Sequence, residues 1–134
     1  GMTWPIRSWH YDLRDVMLVA TGLNRFLNRI EHLSFVTENR PLFVTHCSRS
    51  DIILGFAAHT HKRALEGRPF QGAMILSGRA PDHLTAYITE LIKTHDLPAM
   101  HAPVPTAEVM KRMQGFVSKL NIHDKERVSK AISH

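Results

Sequence analysis

Cysteine is nearly absent from this chain: Cys47 stands alone among 134 residues, so no internal disulfide can form. Long apolar runs are also missing, and none approaches the roughly 18–20 residues needed to cross a bilayer. The opening Met2-Thr3-Trp4-Pro5-Ile6-Arg7 has no apolar stretch of the secretory kind, so a cytoplasmic location is expected. Gly1 ahead of Met2 reads as a tag remnant. There is no Gly-x-x-x-x-Gly-Lys-Ser/Thr loop, no Gly-x-Gly-x-x-Gly and no Gly-x-Ser-x-Gly elbow. Those absences remove the familiar signatures of phosphate-loop NTPases, dinucleotide enzymes and serine hydrolases. Internal repeats and low-complexity segments are lacking too, and the length fits one domain.

Histidine, by contrast, occurs ten times. The closest pair, His59-Thr60-His61, lies in a stretch of helical period, where side chains two apart diverge and cannot share a metal. No metal and no cofactor is expected. The formal charge is +5, but the basic residues are scattered from Arg7 to Lys130 without a run. Aromatics make up only 7% and do not interleave with them, which disfavours nucleic acid as a partner. A hydrophobic share of 43% is ample for a core.

Strand-like runs alternate with helix-period stretches. Val16-Met17-Leu18-Val19-Ala20 reads as a buried strand, and Thr21 can cap a helix carrying Leu23, Phe26, Leu27, Ile30 and Leu33 on one face. Leu42 to Thr45 is a second strand, followed by hydroxyl caps at Ser48 to Ser50 and a helix ending near Gly67-Arg68-Pro69. Ala73 to Leu76 is a third strand, and Pro81-Asp82 opens a helix through Leu84, Tyr87, Ile88, Leu91 and Ile92. Ala99 to Ala102 is a fourth, weaker strand, after which Thr106 can cap a helix through Val109, Met110 and Met113. Asp124 caps a last amphipathic helix. The expected fold is α/β in three layers, a mainly parallel sheet of four to five strands with helices on both faces. Residues 1–14 form a leader and 15–134 the domain.

Ligands of parallel sheets bind at the carboxyl ends of the strands. The turns there offer Ser48, Arg49, Ser50 and Asp51, then Ser77, Gly78 and Arg79, then Thr106. Free N–H groups at helix N-termini favour anions, and each arginine can offer a fork to a phosphate or carboxylate. These eight residues are the candidate ligand site. No catalytic residue is assigned, because no general base is evident beside a nucleophile. His46 and Cys47 are adjacent, but neighbours in a strand point to opposite faces. Met17, Met74, Met100, Met110 and Met113 read as core filler, and Trp4 and Trp9 as aromatics for packing onto a core or a partner.

The stretch from Pro41 through His46-Cys47-Ser48-Arg49-Ser50-Asp51 to Leu54 resembles the signature of the DRTGG domain, in which a strand leads into Gly-Asp-Arg-Ser/Thr-Asp. Ala73 to Arg79 resembles its strand ending in Leu-Thr-Gly-Gly. Leu97-Pro98, Val104-Pro105-Thr106 and Asp124-Lys125-Glu126-Arg127-Val128 resemble its later motifs. The resemblance spans roughly residues 15–134. It implies a fold like the N-terminal domain of HPr kinase/phosphorylase, and a regulatory, ligand-sensing or oligomerising role beside phosphotransacetylase or CBS regions. Arg49, Ser50, Asp51 and Gly78 carry over, whereas Cys47, Ser48 and Arg79 replace Gly, Asp and Gly. Losing an acid and gaining a base makes the crevice more positive than the family pattern.

The expected function is therefore a non-catalytic regulatory or assembly domain, a homo-oligomer that binds an anionic small molecule. The alternatives are a small phosphate-handling enzyme or a weak nucleic-acid binder.

Overall fold

The computed structural model describes residues 15–35 and 41–115. The leader with Trp4 and Trp9, and the helix expected after Asp124, lie outside the described residues.

Four strands alternate with helices: β1 (Asp15–Leu18), α1 (Leu23–Phe35), β2 (Pro41–His46), α2 (Ser50–Leu65), β3 (Ala73–Ser77), α3 (Asp82–Thr94) and β4 (Ala99–His101). A further helix, α4, occupies 106–115. All strand pairs are parallel, in the sequential order β1-β2-β3-β4. The α/β expectation is met, and the register aligns His46 with Ser77 and Leu76 with His101.

Sequential order decides where the helices go. Right-handed crossovers that always advance in one direction deposit every connecting helix on the same face. Accordingly Phe26 and Ile30 of α1, Ile52, Ile53 and Phe56 of α2, and Ile88 of α3 all join Phe43, Met74, Leu76 and Ala99 in one core. Among the described residues, only α4 packs on the opposite face, where Val109 and Met113 meet Leu42, Val44, Ala73, Ile75 and Met100. The two central strands are covered on both sides, which is why β3 is an unbroken apolar run closed by Ser77.

Several local expectations need correction. Among the described residues β1 is an edge strand and not a buried one, with Leu18 left 49% exposed. It ends at Leu18, although the N–H of Val19 still donates to the carbonyl of Val44 (2.8 Å). The hydroxyls do not cap. Helix α1 starts at Leu23, so Gly22 and not Thr21 occupies its N-cap, and the Gly22 carbonyl accepts from the N–H of Phe26. The N-cap of α2 is Arg49 and receives no side-chain bond. At α4 the N-cap position falls to Pro105, whose carbonyl accepts from Glu108 and Val109.

The end of α2 follows its sequence signal. Gly67 adopts φ +74°, and the N–H groups of Gly67 and Arg68 donate to the carbonyls of Ala64 and Arg63. This 5→2 and 6→1 pair is the Schellman arrangement that glycine permits.

His59 lies inside the core, with its ring edge against Phe70 at 5.2 Å between centroids. Burial holds its pKa below the usual histidine value, and the carboxylate of Glu31, 3.8 Å from Nδ1, only partly opposes this. The unfolded chain, with the ordinary histidine pKa of roughly 6.5, therefore binds more protons than the native state as pH falls through that value. Stability should drop on acidification below about pH 6.5. Urea midpoints at neutral and mildly acidic pH should converge in His59→Leu relative to the wild type. An unchanged acid dependence would refute this origin for it.

Candidate functional site

The carboxyl ends of the strands gather the turns after β2, β3 and β4. The connection from β3 goes to the face of α1–α3, and that from β4 goes to the face of α4. Adjacent strands whose connections diverge in this way leave a crevice between them. Here the diverging segments are Ser77-Gly78 and His101 to Thr106, and direct hydrogen bonds bridge them.

Ser77 Oγ sits 2.6 Å from Thr106 Oγ1 and 3.3 Å from the carbonyl of Thr45. The carbonyl can only accept, so Ser77 donates to Thr45 and Thr106 donates to Ser77. Gly78 has φ +81°, its N–H donates to the Val104 carbonyl at 2.7 Å, and its carbonyl accepts from His101 Nε2 at 2.8 Å. On its remaining side stands the ring of His46, and a β-carbon placed on Gly78 would lie 2.2 Å from Nε2. Ser77, Gly78 and Thr106 are thus brought together as expected. Two residues that sequence reasoning did not select, His46 and His101, complete the cluster. The only sequence signal for them is position: each is the last residue of its strand.

The turn after β2 is organised differently. Arg49 grips Asp51 with both ends of its fork (Nε to Oδ1 and Nη2 to Oδ2, 3.2 Å each) and also donates to the carbonyl of Thr21 at 2.8 Å. The Asp51 carboxylate accepts from its own first helical turn at Ile52, and the Arg49 bond above all lowers its pKa. The N-terminus of α2 therefore already holds an anion, the protein's own. Ser50 is exposed, and no side-chain bond from it is seen among the described residues. Arg79 is exposed as well. Among the described residues Arg79, unlike Arg49, has no hydrogen-bond or ion-pair partner.

Ser48 turns toward the third group. Its Oγ lies 2.7 Å from His46 Nδ1, and its backbone N–H donates to the same nitrogen at 3.1 Å. A base thus does stand beside a hydroxyl, contrary to the expectation from sequence. Cys47 is not that nucleophile: it is buried, 4.0 Å from His46 Nδ1, and burial raises its pKa. No group of three or more potential metal ligands occurs among the described residues. None of the described helices is long and apolar enough to cross a membrane.

No family model matches the chain, and no solved structure does. The chain is similar to a phosphate acetyltransferase of Deinococcus radiodurans, with 29% identity over 93 residues. That stretch is 69% of this chain but only 13% of that protein, so the likeness concerns a small part of the relative.

Proposed function

We propose that this chain is a regulatory or assembly module of the DRTGG type, related to the part of a phosphotransacetylase that it resembles. The observation that carries the reading is the size of that likeness, a stretch amounting to 13% of the relative's length. A segment so small is more readily an accessory region than a complete acetyl-transfer site. The assembly half of this reading includes self-association, or docking onto a phosphotransacetylase or CBS-type region.

The ligand in this reading is a small anion at the crevice between β3 and β4. Arg79, exposed in the turn after β3, supplies the charge, and the bonded cluster of Ser77, Gly78 and Thr106 holds that turn in place. Arg49 is spoken for by Asp51 and serves to tie the second turn to the first.

The test is a thermal-shift panel of nucleotides, phosphorylated metabolites and carboxylates, followed by calorimetry. One charged hydrogen bond contributes roughly 1.5–3 kcal/mol, so Arg79→Ala should weaken the best binder about tenfold or more. Arg49→Ala should change that affinity much less. Equal binding by wild type and Arg79→Ala, or the absence of any stabilising anion, would dismiss the site.

A further inference from the structure

The pairing of Ser48 with His46 is not used by the reading above. Three observations give it chemical meaning. The Ser48 hydroxyl is exposed and 2.7 Å from His46 Nδ1. A backbone N–H can only donate, so the bond from Ser48 N to the same Nδ1 leaves that nitrogen unprotonated and puts the ring's proton on Nε2. Ser48 Oγ–H consequently donates to Nδ1, and the nitrogen facing the hydroxyl is in its basic form. Finally, the ring, although exposed, lies against Gly78, where a β-carbon would not fit beside it.

We propose that Ser48 is a nucleophile, with His46 as its general base, and that it takes an acyl group from an activated donor. Ser48 Oγ attacks the acyl carbon and forms an ester, while its proton passes to His46 Nδ1. The bond from the acyl carbon to the leaving oxygen breaks, and the leaving group departs with the electron pair as an anion. The imidazolium then releases the proton to water.

The same turn limits the donor class. The backbone N–H groups of Arg49 and Ser50, which follow Ser48, already donate to the carbonyls of His46 and Ser48 at 3.0 Å each, so neither is free to stabilise the oxyanion of the tetrahedral intermediate. The base then supplies the acceleration, a contribution of about 10²–10⁴-fold. Donors must therefore carry leaving groups that need no protonation, such as aryl esters and acyl phosphates. The product is a stable acyl-serine and not a turnover cycle. This inference does not depend on the anion crevice, because it requires neither Arg79 nor Thr106.

The experiment uses the full chain with 4-nitrophenyl acetate as probe, read by intact-protein mass spectrometry and peptide mapping. One acetyl group should appear on Ser48, faster than on the urea-unfolded chain. His46→Gln should slow labelling of Ser48 by about a hundredfold or more while circular dichroism shows an intact fold. Ser48→Cys, which keeps a nucleophile in place, should be labelled at the same position as a thioester. Labelling confined to lysines or to the His46 ring would overturn the proposal. So would Ser48 labelling that is equal in His46→Gln or in the unfolded chain.

Discussion

Phe43→Ala should destabilise the domain by roughly 3–5 kcal/mol, the range for truncating a fully enclosed aromatic. Phe43 is only 1% exposed and stands at the centre of the face that α1, α2 and α3 share. Its ring meets Phe26 edge-on at 5.2 Å and Phe56 edge-on at 6.4 Å, and stacks with Phe70 at 6.4 Å. Truncation removes three aromatic contacts together and leaves a void bounded by two helices, the sheet and the segment before β3. Those walls cannot close on it, because each is held by its own backbone bonding. A domain of this size has a total stability of roughly 5–15 kcal/mol, so the variant should be partly unfolded well below the denaturant midpoint of the wild type. Phe43→Leu, which keeps most of the volume, should cost appreciably less. Urea titrations with unchanged slope provide the comparison. A Phe43→Ala cost no larger than that of Tyr87→Ala, whose side chain is 74% exposed, would mean that this face is not the principal core.

The second large effect is expected at Gly78. An alanine there must adopt φ +81°, at a cost of roughly 1–2 kcal/mol for an L-residue in the left-handed region. Its β-carbon would also lie 2.2 Å from His46 Nε2, so the imidazole has to swing away. That movement gives up the bonds from the Ser48 N–H and hydroxyl, a loss of roughly 0.5–1.5 kcal/mol for each. Gly78→Ala should therefore cost about 2–5 kcal/mol in all. The two causes separate in a double-mutant cycle. In a His46→Ala background the steric part disappears and only the backbone strain remains, so Gly78→Ala should become distinctly milder. If its cost is the same in both backgrounds, the ring does not press on Gly78. The base in the Ser48 pair would then lack its support.

Much of the architecture was readable from local chemistry. The strands from Leu42 and Ala73 are largely apolar runs without polar alternation, as buried central strands must be, and both formed. Gly67 announced the end of α2 because only a residue tolerant of positive φ closes that hydrogen-bond pattern. Signals of this kind act over a few residues, so the sequence carries them explicitly. The hydroxyl caps failed for an equally local reason: serine and threonine bond to whatever acceptor or donor the fold brings near, and here those were His46 and each other.

By itself, then, the amino-acid sequence determined a repeating βα unit, a parallel sheet and a set of polar turns at one end of it. Tertiary structure alone decided which turns face each other. The sequential strand order placed α1, α2 and α3 on one face, while α4 packed on the other, so the segments after β3 and β4 meet around Gly78. It let Arg49 reach back to the carbonyl of Thr21, taking it out of the anion site that its charge had implied. It also set His46 level with Ser77 across the sheet, and thereby against Gly78. The reason is physical: a residue's propensity depends on its neighbours along the chain. The partner of a strand-end side chain depends on register and strand order, which emerge only when the whole sheet has paired.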